Sequence, residues 1–360
     1  MIQAAILGYG GMGKWHHNAI REQIEGVQVQ SAYDVRPEAR DEARANNLTV
    51  YERAQDLIDD PTISLAIIST PNDSHKDYII RALKAGKHVV CEKPVVLTVR
   101  DLQEVMDVSK QADALFTIHQ NRRWDQDFQI VKTILDSGTV GKPYFIESRV
   151  DGSSVYLHGW RDHKLNGGGI LYDWGVHLID QALQLTNDKV TSVNAHLFSV
   201  HSKEVDDNIK VMLSFEDRLS VLIEASTNCF IPSPRWHVSG QDGTFVIQDW
   251  GCNGKIVQLA DKNARRWDND IVYTAAGPTR TMAPRPASTT MTTPLPTIKD
   301  ARGNEYHRYS SADIFYHNLV ASIEGKAELY VKAEEALRVM KIIELAFQSA
   351  EKQQGISCLV

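Results

Sequence analysis

The side chains able to do chemistry in this chain of 360 residues gather in two short segments. Glu92-Lys93-Pro94 follows an apolar run that ends at Cys91. A lysine there can donate to a substrate hydroxyl, and burial or neighbours can lower its pKa toward catalytic use. It can equally be a surface lysine at a strand end, while Pro94 fixes a rigid turn to which cis geometry is open. Asp173 and His177, in Gly167-Gly168-Gly169-Ile170-Leu171-Tyr172-Asp173-Trp174-Gly175-Val176-His177, stand four apart. On an α-helix that spacing puts both on one face, one turn apart. Histidine titrates near neutrality and can take a proton from an alcohol, and a neighbouring carboxylate can orient and stabilise the imidazolium. The pair also suits an i,i+4 helix contact, a buried structural histidine, or two metal ligands. No third ligand stands nearby, so no metal is expected.

These groups need a scaffold, and the N-terminus supplies one. Ala4 to Leu7 is an apolar run ending in Gly8-Tyr9-Gly10-Gly11-Met12-Gly13, the G-x-G-x-x-G spacing. Gly8 permits a tight strand-to-helix turn, Gly10 lets backbone approach a pyrophosphate, and Gly13 lets the helix pack closely on the strand. The anion then sits at a helix N-terminus, where unpaired N–H groups and the dipole favour it. A second strand, Val27 to Tyr33, ends at Asp34, twenty-one residues past Gly13. That carboxylate can accept from both adenosine ribose hydroxyls and repels a 2′-phosphate. Arg36, just beyond, can hold a 2′-phosphate instead. The cofactor expected is therefore NAD, with NADP open.

The first third alternates strand and helix: strand signals at 3–8, 28–34, 48–51, 64–69, 88–91 and 114–119, helical ones at 12–25, 36–46, 53–59, 74–85 and 98–112. This predicts an α/β fold with a doubly wound parallel sheet, whose ligands bind beyond the carboxyl ends of the strands. The segments at those ends are Ser69-Thr70-Pro71-Asn72-Asp73-Ser74-His75, Cys91-Glu92-Lys93-Pro94 and His119-Gln120-Asn121-Arg122-Arg123-Trp124. After about residue 122 the strands, from 143 and near 190–200, 208–215, 219–227, 235–240 and 244–248, become more alternating. They indicate an antiparallel sheet with one open face. A helical segment at 169–185 drops into this region, and helices at 311–324 and 333–353 close the chain. Two domains are expected, 1–122 for the dinucleotide and 123–360 for substrate and oligomerisation. Residues 277–298, with five prolines and seven threonines, are expected to form a long loop or arm.

A net charge of −7 and a pI near 6.0 argue against nucleic-acid or anionic-membrane partners. Cys91, Cys229, Cys252 and Cys358 lack metal or disulfide spacing, consistent with a reducing cytoplasm. No apolar run approaches the ~20 residues of a membrane span, and the first apolar segment lacks the basic flank of a signal peptide. Of the remaining candidates, His16 and His17 are expected to line the helix start. Arg122, Arg123 and Trp160-Arg161 are anion-binding or stacking candidates, and His75, His119 and His163 could reach the cleft.

GYGGMG near the start, STPNDSH after strand four, CEKP after strand five, WRDHKLNGGGILYDWGVHLID in the second domain and the helical tail together resemble the glucose–fructose oxidoreductase / inositol dehydrogenase (Gfo/Idh/MocA) family across almost the whole chain. NRRWDQDF and TRTMAPRP are similar to the subgroup containing scyllo-inositol dehydrogenases. The resemblance implies a Rossmann domain followed by an α/β domain with a large open sheet. It also implies reversible oxidation of a secondary hydroxyl of a sugar or cyclitol, and association into a homodimer or homotetramer through the sheet face. By resemblance Lys93, Asp173 and His177 form the catalytic triad, while Asn72, Glu92, Trp160 and Arg161 fall on the cofactor or substrate side. Asp34 departs from the scyllo-inositol subgroup, which often uses NADP and lacks this acid.

The cofactor residues expected are thus Gly8, Gly10, Gly11, Met12, Gly13, Asp34, Arg36, Ser69, Thr70, Pro71, Asn72, His75, Glu92, Lys93, Asn121, Trp160 and Arg161. Those expected at the substrate are Lys93, Arg123, Trp124, Asp173 and His177. In the mechanism they suggest, His177 removes the hydroxyl proton as hydride leaves, Asp173 steadies the histidine, and Lys93 hydrogen-bonds the developing carbonyl. A non-catalytic dinucleotide or sugar sensor, and a reductase of a non-sugar ketone or imine, are the alternatives.

Overall fold

Strand β1 (Ile2–Leu7) is the centre of the first sheet, and Ala4 to Leu7 are wholly buried. It is followed by α1 (Gly11–Gln23), β2 (Val27–Tyr33), α2 (Pro37–Ala45), β3 (Thr49–Val50), α3 (Ala54–Asp59) and β4 (Leu65–Ile68). Then come α4 (His75–Lys84), β5 (His88–Cys91), α5 (Val99–Gln111) and β6 (Phe116–Ile118). All pairings are parallel, in the order β3-β2-β1-β4-β5-β6. The strands read as short apolar runs because helices cover both sheet faces. This computed structural model describes residues 1–261, 271–280, 289–300, 302–307 and 309–360.

The second sheet is built differently. Helix α6 (Gln126–Asp136) leads into β7 (Pro143–Asp151); helix α7 (Val176–Gln184) precedes β8 (Val190–Phe198), β9 (Asn208–Phe215) and β10 (Ser220–Ser226). Next come β11 (Trp236–Gly240), β12 (Gly243–Ile247), β13 (Gly254–Leu259), a small hairpin of β14 (Ile271–Thr274) and β15 (Gly277–Arg280), and β16 (Thr290–Pro294). Helices α8 (Ser310–Ile323) and α9 (Ala333–Lys352) and strand β17 (Ile356–Ser357) finish the chain. Nine strands join in the order β16-β13-β12-β11-β7-β10-β9-β8-β17, antiparallel except where β7 meets β10. Burial alternates along β10, with Val221, Ile223 and Ala225 inside. That period of two is the mark of a sheet covered on one side.

The last helices fasten the two sheets together. Ala336, Val339, Met340, Ile343 and Ala346 form the buried stripe of α9, which packs on β8 and also reaches α5 and β6. Helix α8 lies against α1. Thr117 Oγ1 donates to Val331 O at 2.9 Å and Val99 N–H to Glu344 Oε1 at 2.7 Å. No helix among the described residues is long and apolar enough to cross a membrane.

Two expectations need correction. Residues 277–298 are not one loop: 277–280 pair with β14, and 290–294 pair with β13 as the outermost strand of the large sheet. Threonine is β-branched and suits a strand, and at an edge the missing N–H of Pro294 costs little. Residues 281–288, which hold most of the TRTMAPRP motif, lie outside the described residues. The helix expected at 169–185 is divided. Leu171–Gly175 is a π-turn and the α-helix starts at Val176.

Candidate active site

The glycine turn is tight for stated reasons. Gly8 has φ +94°, and a Cβ on it would meet Ser69 O at 2.7 Å; a Cβ on Gly13 would meet Gly8 O at 2.2 Å. Ser69 Oγ donates to Gly8 O at 2.8 Å, fixing β4 to the turn. Gly8, Gly10, Gly11 and Met12 therefore line one end of a cleft of about 870 Å³, at the start of α1, where the unpaired N–H groups of a helix N-terminus suit an anion. Gly13 lies beneath, as packing.

Asp34 and Arg36 line the same end. The Asp34 carboxylate is buried and already held: Arg36 N–H and Nε donate to Oδ1 at 2.9 and 3.1 Å, and Nη2 donates to Oδ2 at 3.2 Å. The acid suited to a ribose diol and the cation suited to a 2′-phosphate thus form one clasp. Ser69, Thr70, Pro71 and Asn72 form the next stretch of wall. Asn72 Nδ2 donates to Gly167 O at 2.9 Å, tying the post-β4 loop to the triple glycine. His75 does not reach the cleft. It is buried with ring nitrogens 3.0 Å from Pro94 O and 2.9 Å from Thr70 O, joining that loop to the Lys93–Pro94 peptide, which is cis.

Glu92, Lys93, Asn121, Trp160, Arg161, Asp173 and His177 meet at the far end of the cleft. Lys93 Nζ donates to Asp173 Oδ1 at 2.9 Å and to Asp173 O at 2.8 Å, and Arg161 Nε lies 3.2 Å from Oδ1. Burial by itself would raise the Asp173 pKa, but the charges of Lys93 and Arg161 overcome it and hold it down to about 2. His177 is driven the other way. Burial first, then the positive charges of Lys93 and Arg122, push its pKa well below the usual histidine value, so it is neutral at pH 7.

Asp173 and His177 are not partners, contrary to the i,i+4 expectation. Among the described residues no hydrogen bond joins them. Residues 171–175 are π-helical, with i→i+5 bonding, and this wider turn carries Asp173 off the face of His177 and toward Lys93. Glu92 has unexpected partners as well. Its Oε1 accepts from His16 Nε2 at 2.9 Å and His119 Nδ1 at 2.8 Å, and Tyr316 OH donates to His16 Nδ1 at 2.7 Å. Burial would raise the Glu92 pKa, yet these contacts hold it well below the usual carboxylate range. Among the described residues this trio is the group compact enough for a metal ion, and its distances are those of hydrogen bonds. His16 is thus buried beneath the cleft floor, and His163 is at the surface near Glu204.

Arg123 and Trp124 do not face the cleft, and Arg122 does. Residues 121–124 form a 3₁₀ turn, in which successive side chains point about a third of a turn apart. Arg123 is buried, pairing with Asp180 at 2.6 and 2.7 Å and Glu335 at 2.9 Å. Trp124 packs on Phe315 and Tyr330. Arg122 instead stacks 4.2 Å from the Trp174 ring centre and 5.4 Å from that of Trp250. With Arg161, Asp173 and Trp174 it stands where the cleft opens into a chamber of about 500 Å³, walled also by Tyr156, His158 and Trp250. Tyr156, His158 and Trp250 were not among the residues named from the sequence, and Trp174 stood within a quoted motif without a role. Trp250 comes from the β12–β13 turn, and no local pattern announces it.

A helix N-terminus arranged for a pyrophosphate and, at the other end, a neutral histidine beside a lysine define a dinucleotide-dependent oxidoreductase. Sequence and structure comparisons agree on the lineage. Residues 2–120 match the oxidoreductase family with an NAD-binding Rossmann fold, and residues 128–246 match the GFO/IDH/MocA C-terminal domain. The chain is 30% identical to the uncharacterized oxidoreductase YdgJ of Escherichia coli over 99% of both chains. It is 27% identical to scyllo-inositol 2-dehydrogenase (NADP(+)) IolW of Bacillus subtilis, covering 99% of this chain and 95% of that one. The crystal structure of an NAD-binding protein from Listeria innocua superposes with a TM-score of 0.87 at 38% identity, over 99% of this chain and 96% of that one. The chain belongs to the Gfo/Idh/MocA oxidoreductase family and carries its NAD-binding domain.

Two outcomes follow from the geometry. Asp34→Ala weakens NADH binding by roughly tenfold, the loss of about 1.4 kcal/mol of charge-assisted bonding, and leaves NADPH binding intact or tighter; Arg36→Ala weakens NADPH alone. Fluorescence titration with both reduced cofactors checks this. Arg123→Ala, which strands Asp180 and Glu335, lowers stability by about 3–5 kcal/mol, measured by urea unfolding.

Proposed function

We propose that the protein is a dehydrogenase acting on CH–OH groups, moving hydride between a nicotinamide and a secondary hydroxyl or ketone carbon of a sugar or cyclitol. The observation that carries this reading is His177, lining the cleft beside Asp173 and Trp174, which also wall the chamber, and held neutral by burial and by Lys93 and Arg122. A neutral imidazole accepts a hydroxyl proton, and a pinned ammonium donates to the same oxygen as carbonyl character develops. Asp173 holds Lys93 in place, and Trp174 and Trp250 offer flat apolar walls to the C–H face of a ring. Bound NAD supplies the hydride acceptor. The inositol dehydrogenase relative and the chamber's mixture of aromatic and hydrogen-bonding groups support the sugar or cyclitol class.

In this reading residues 1–122 hold the cofactor, and residues 123–360 hold the substrate and a second copy of the chain. The sheet face away from the helices carries half-buried Phe145, Leu222, Met212, Val246 and Val257 interleaved with the paired charges of Glu147, Arg149, Lys210 and Glu224, a mixed surface suited to a dimer or tetramer contact. The free cysteines fit a reducing cytoplasm.

Nicotinamide reduction followed by absorbance, with NAD or NADP and a panel of inositols, aldoses and polyols, tests the activity. Turnover is expected with NAD and at least one cyclitol or sugar. Silence across the panel with reduced cofactor still binding points to a sensor. His177→Ala cuts turnover by roughly 10²–10⁴-fold, and a loss under about threefold rejects the general base. Because the His177 pKa is depressed and its neutral form is active, the acidic limb of kcat/KM lies below pH 6.5.

A further inference from the structure

His177 lines the cleft, yet its Nδ1 is fully buried and without a protein partner. A histidine that works through one ring nitrogen has its tautomer and orientation set by the bond made at the other. Asp173 does not make that bond, being committed to Lys93 and Arg161. Another group must hold the ring.

The seam behind His177 contains candidates. Helix α7 packs against the 121–124 turn, and Gln181, one helical turn beyond His177, donates Nε2–H to Arg122 O at 2.7 Å. Gln181 Oε1 is itself buried without a partner. At the end of β6, the strand leading into that turn, Gln120 Oε1 and His119 Nε2 are in the same condition. Glu92 lines the same end of the cleft as His177 and holds His119 through its Oε1. Buried polar atoms left unpaired are costly, so each of the four calls for a partner.

One buried water can satisfy three of these four atoms. Glu92 accepts through its carboxylate, so His119 carries a proton on Nδ1, and in the neutral ring Nε2 is then an acceptor. Gln181 and Gln120 also present acceptors, and His177 Nδ1 is the one atom able to donate. A buried water makes about three bonds. It would accept from His177 Nδ1–H and donate to His119 Nε2 and to one of the two amide oxygens.

We propose that Glu92 and His119 are the positioning residues of His177, acting through one buried water. The pair fixes the proton of His177 on Nδ1 and so leaves Nε2 as the nitrogen that faces substrate. His16, backed by Tyr316, holds the other side of Glu92, so the line runs from α8 through α1 and β5 to α7. The proposal rests on His177 being the base, and its test separates the two ideas.

Histidine-ring ¹⁵N–¹H spectra of the full chain with NAD report the tautomer directly, the His177 signals being assigned by their loss in His177→Ala. The expected wild-type spectrum has His177 protonated on Nδ1, with a slowly exchanging proton. A His177 proton on Nε2 overturns the proposal without need of any variant. His119→Asn keeps an amide near Nδ1 for Glu92 but removes the atom at Nε2; His119→Gln keeps an amide near Nε2. With a substrate found in the panel, His119→Asn should lose about 10–100-fold in turnover, KM changing less than about twofold, and mix the His177 tautomers, while His119→Gln restores most of both. Unchanged turnover and tautomer in His119→Asn, or equal loss of cofactor binding in both variants, overturns the positioning role. Full turnover in His177→Ala would instead remove the base while leaving the tautomer result to stand.

Discussion

The contact on which the rest of the site depends is the one between Lys93 and Asp173. It joins the end of β5 in the first sheet to the π-turn of the second, 80 residues apart in sequence. One ammonium satisfies both a carboxylate oxygen and a backbone carbonyl, which fixes its direction as well as its charge. Arg161 on the same carboxylate brings the 159–162 turn to the same point, and Asn72 on Gly167 O makes a parallel tie nearby. Together these polar contacts close the cleft at the end where His177 lies, while α8 and α9 pack against elements of both sheets.

That arrangement sets the electrostatics. Lys93 and Arg161 share the Asp173 carboxylate, and Arg122 and Glu92 stand at the same end of the cleft. Burial first, then Lys93 and Arg122, keep His177 neutral against the opposing charge of Glu92. The Lys93 ammonium also favours an oxygen that gains negative character. Burial and the nearby cations act in one direction on His177 and in opposite directions on Asp173, which is why the two groups end in different protonation behaviour although they sit in one short segment. Glu92 completes the pattern from below: a buried carboxylate tolerated because two imidazoles and a backbone N–H, that of Lys93, reach its oxygens.

The amino-acid sequence by itself determined what is repeated or local. The period of the apolar residues named the parallel sheet and the alternating one, since a strand covered on both faces and a strand covered on one differ along the chain itself. The glycine turn and Asp34 were legible because their spacing is dictated by backbone contact and by the length of one strand–helix–strand unit. Lys93, Asp173 and His177 were legible as residue types at strand and helix ends. Tertiary structure alone decided their partners. Whether Arg122 or Arg123 faces the cleft turns on a 3₁₀ turn, and whether Asp173 meets His177 or Lys93 turns on a π-turn. The π-turn departs from the α-helical period assumed for Asp173 and His177, and the 3₁₀ turn falls in a segment expected only to follow a strand. The bonds of Glu92 to His16 and of His16 to Tyr316 span 76 and 300 residues, and Trp250 arrives on a turn between two late strands. No local pattern encodes such meetings; they exist because close packing of the two sheets and the returning helices leaves each buried polar group few places to find a partner.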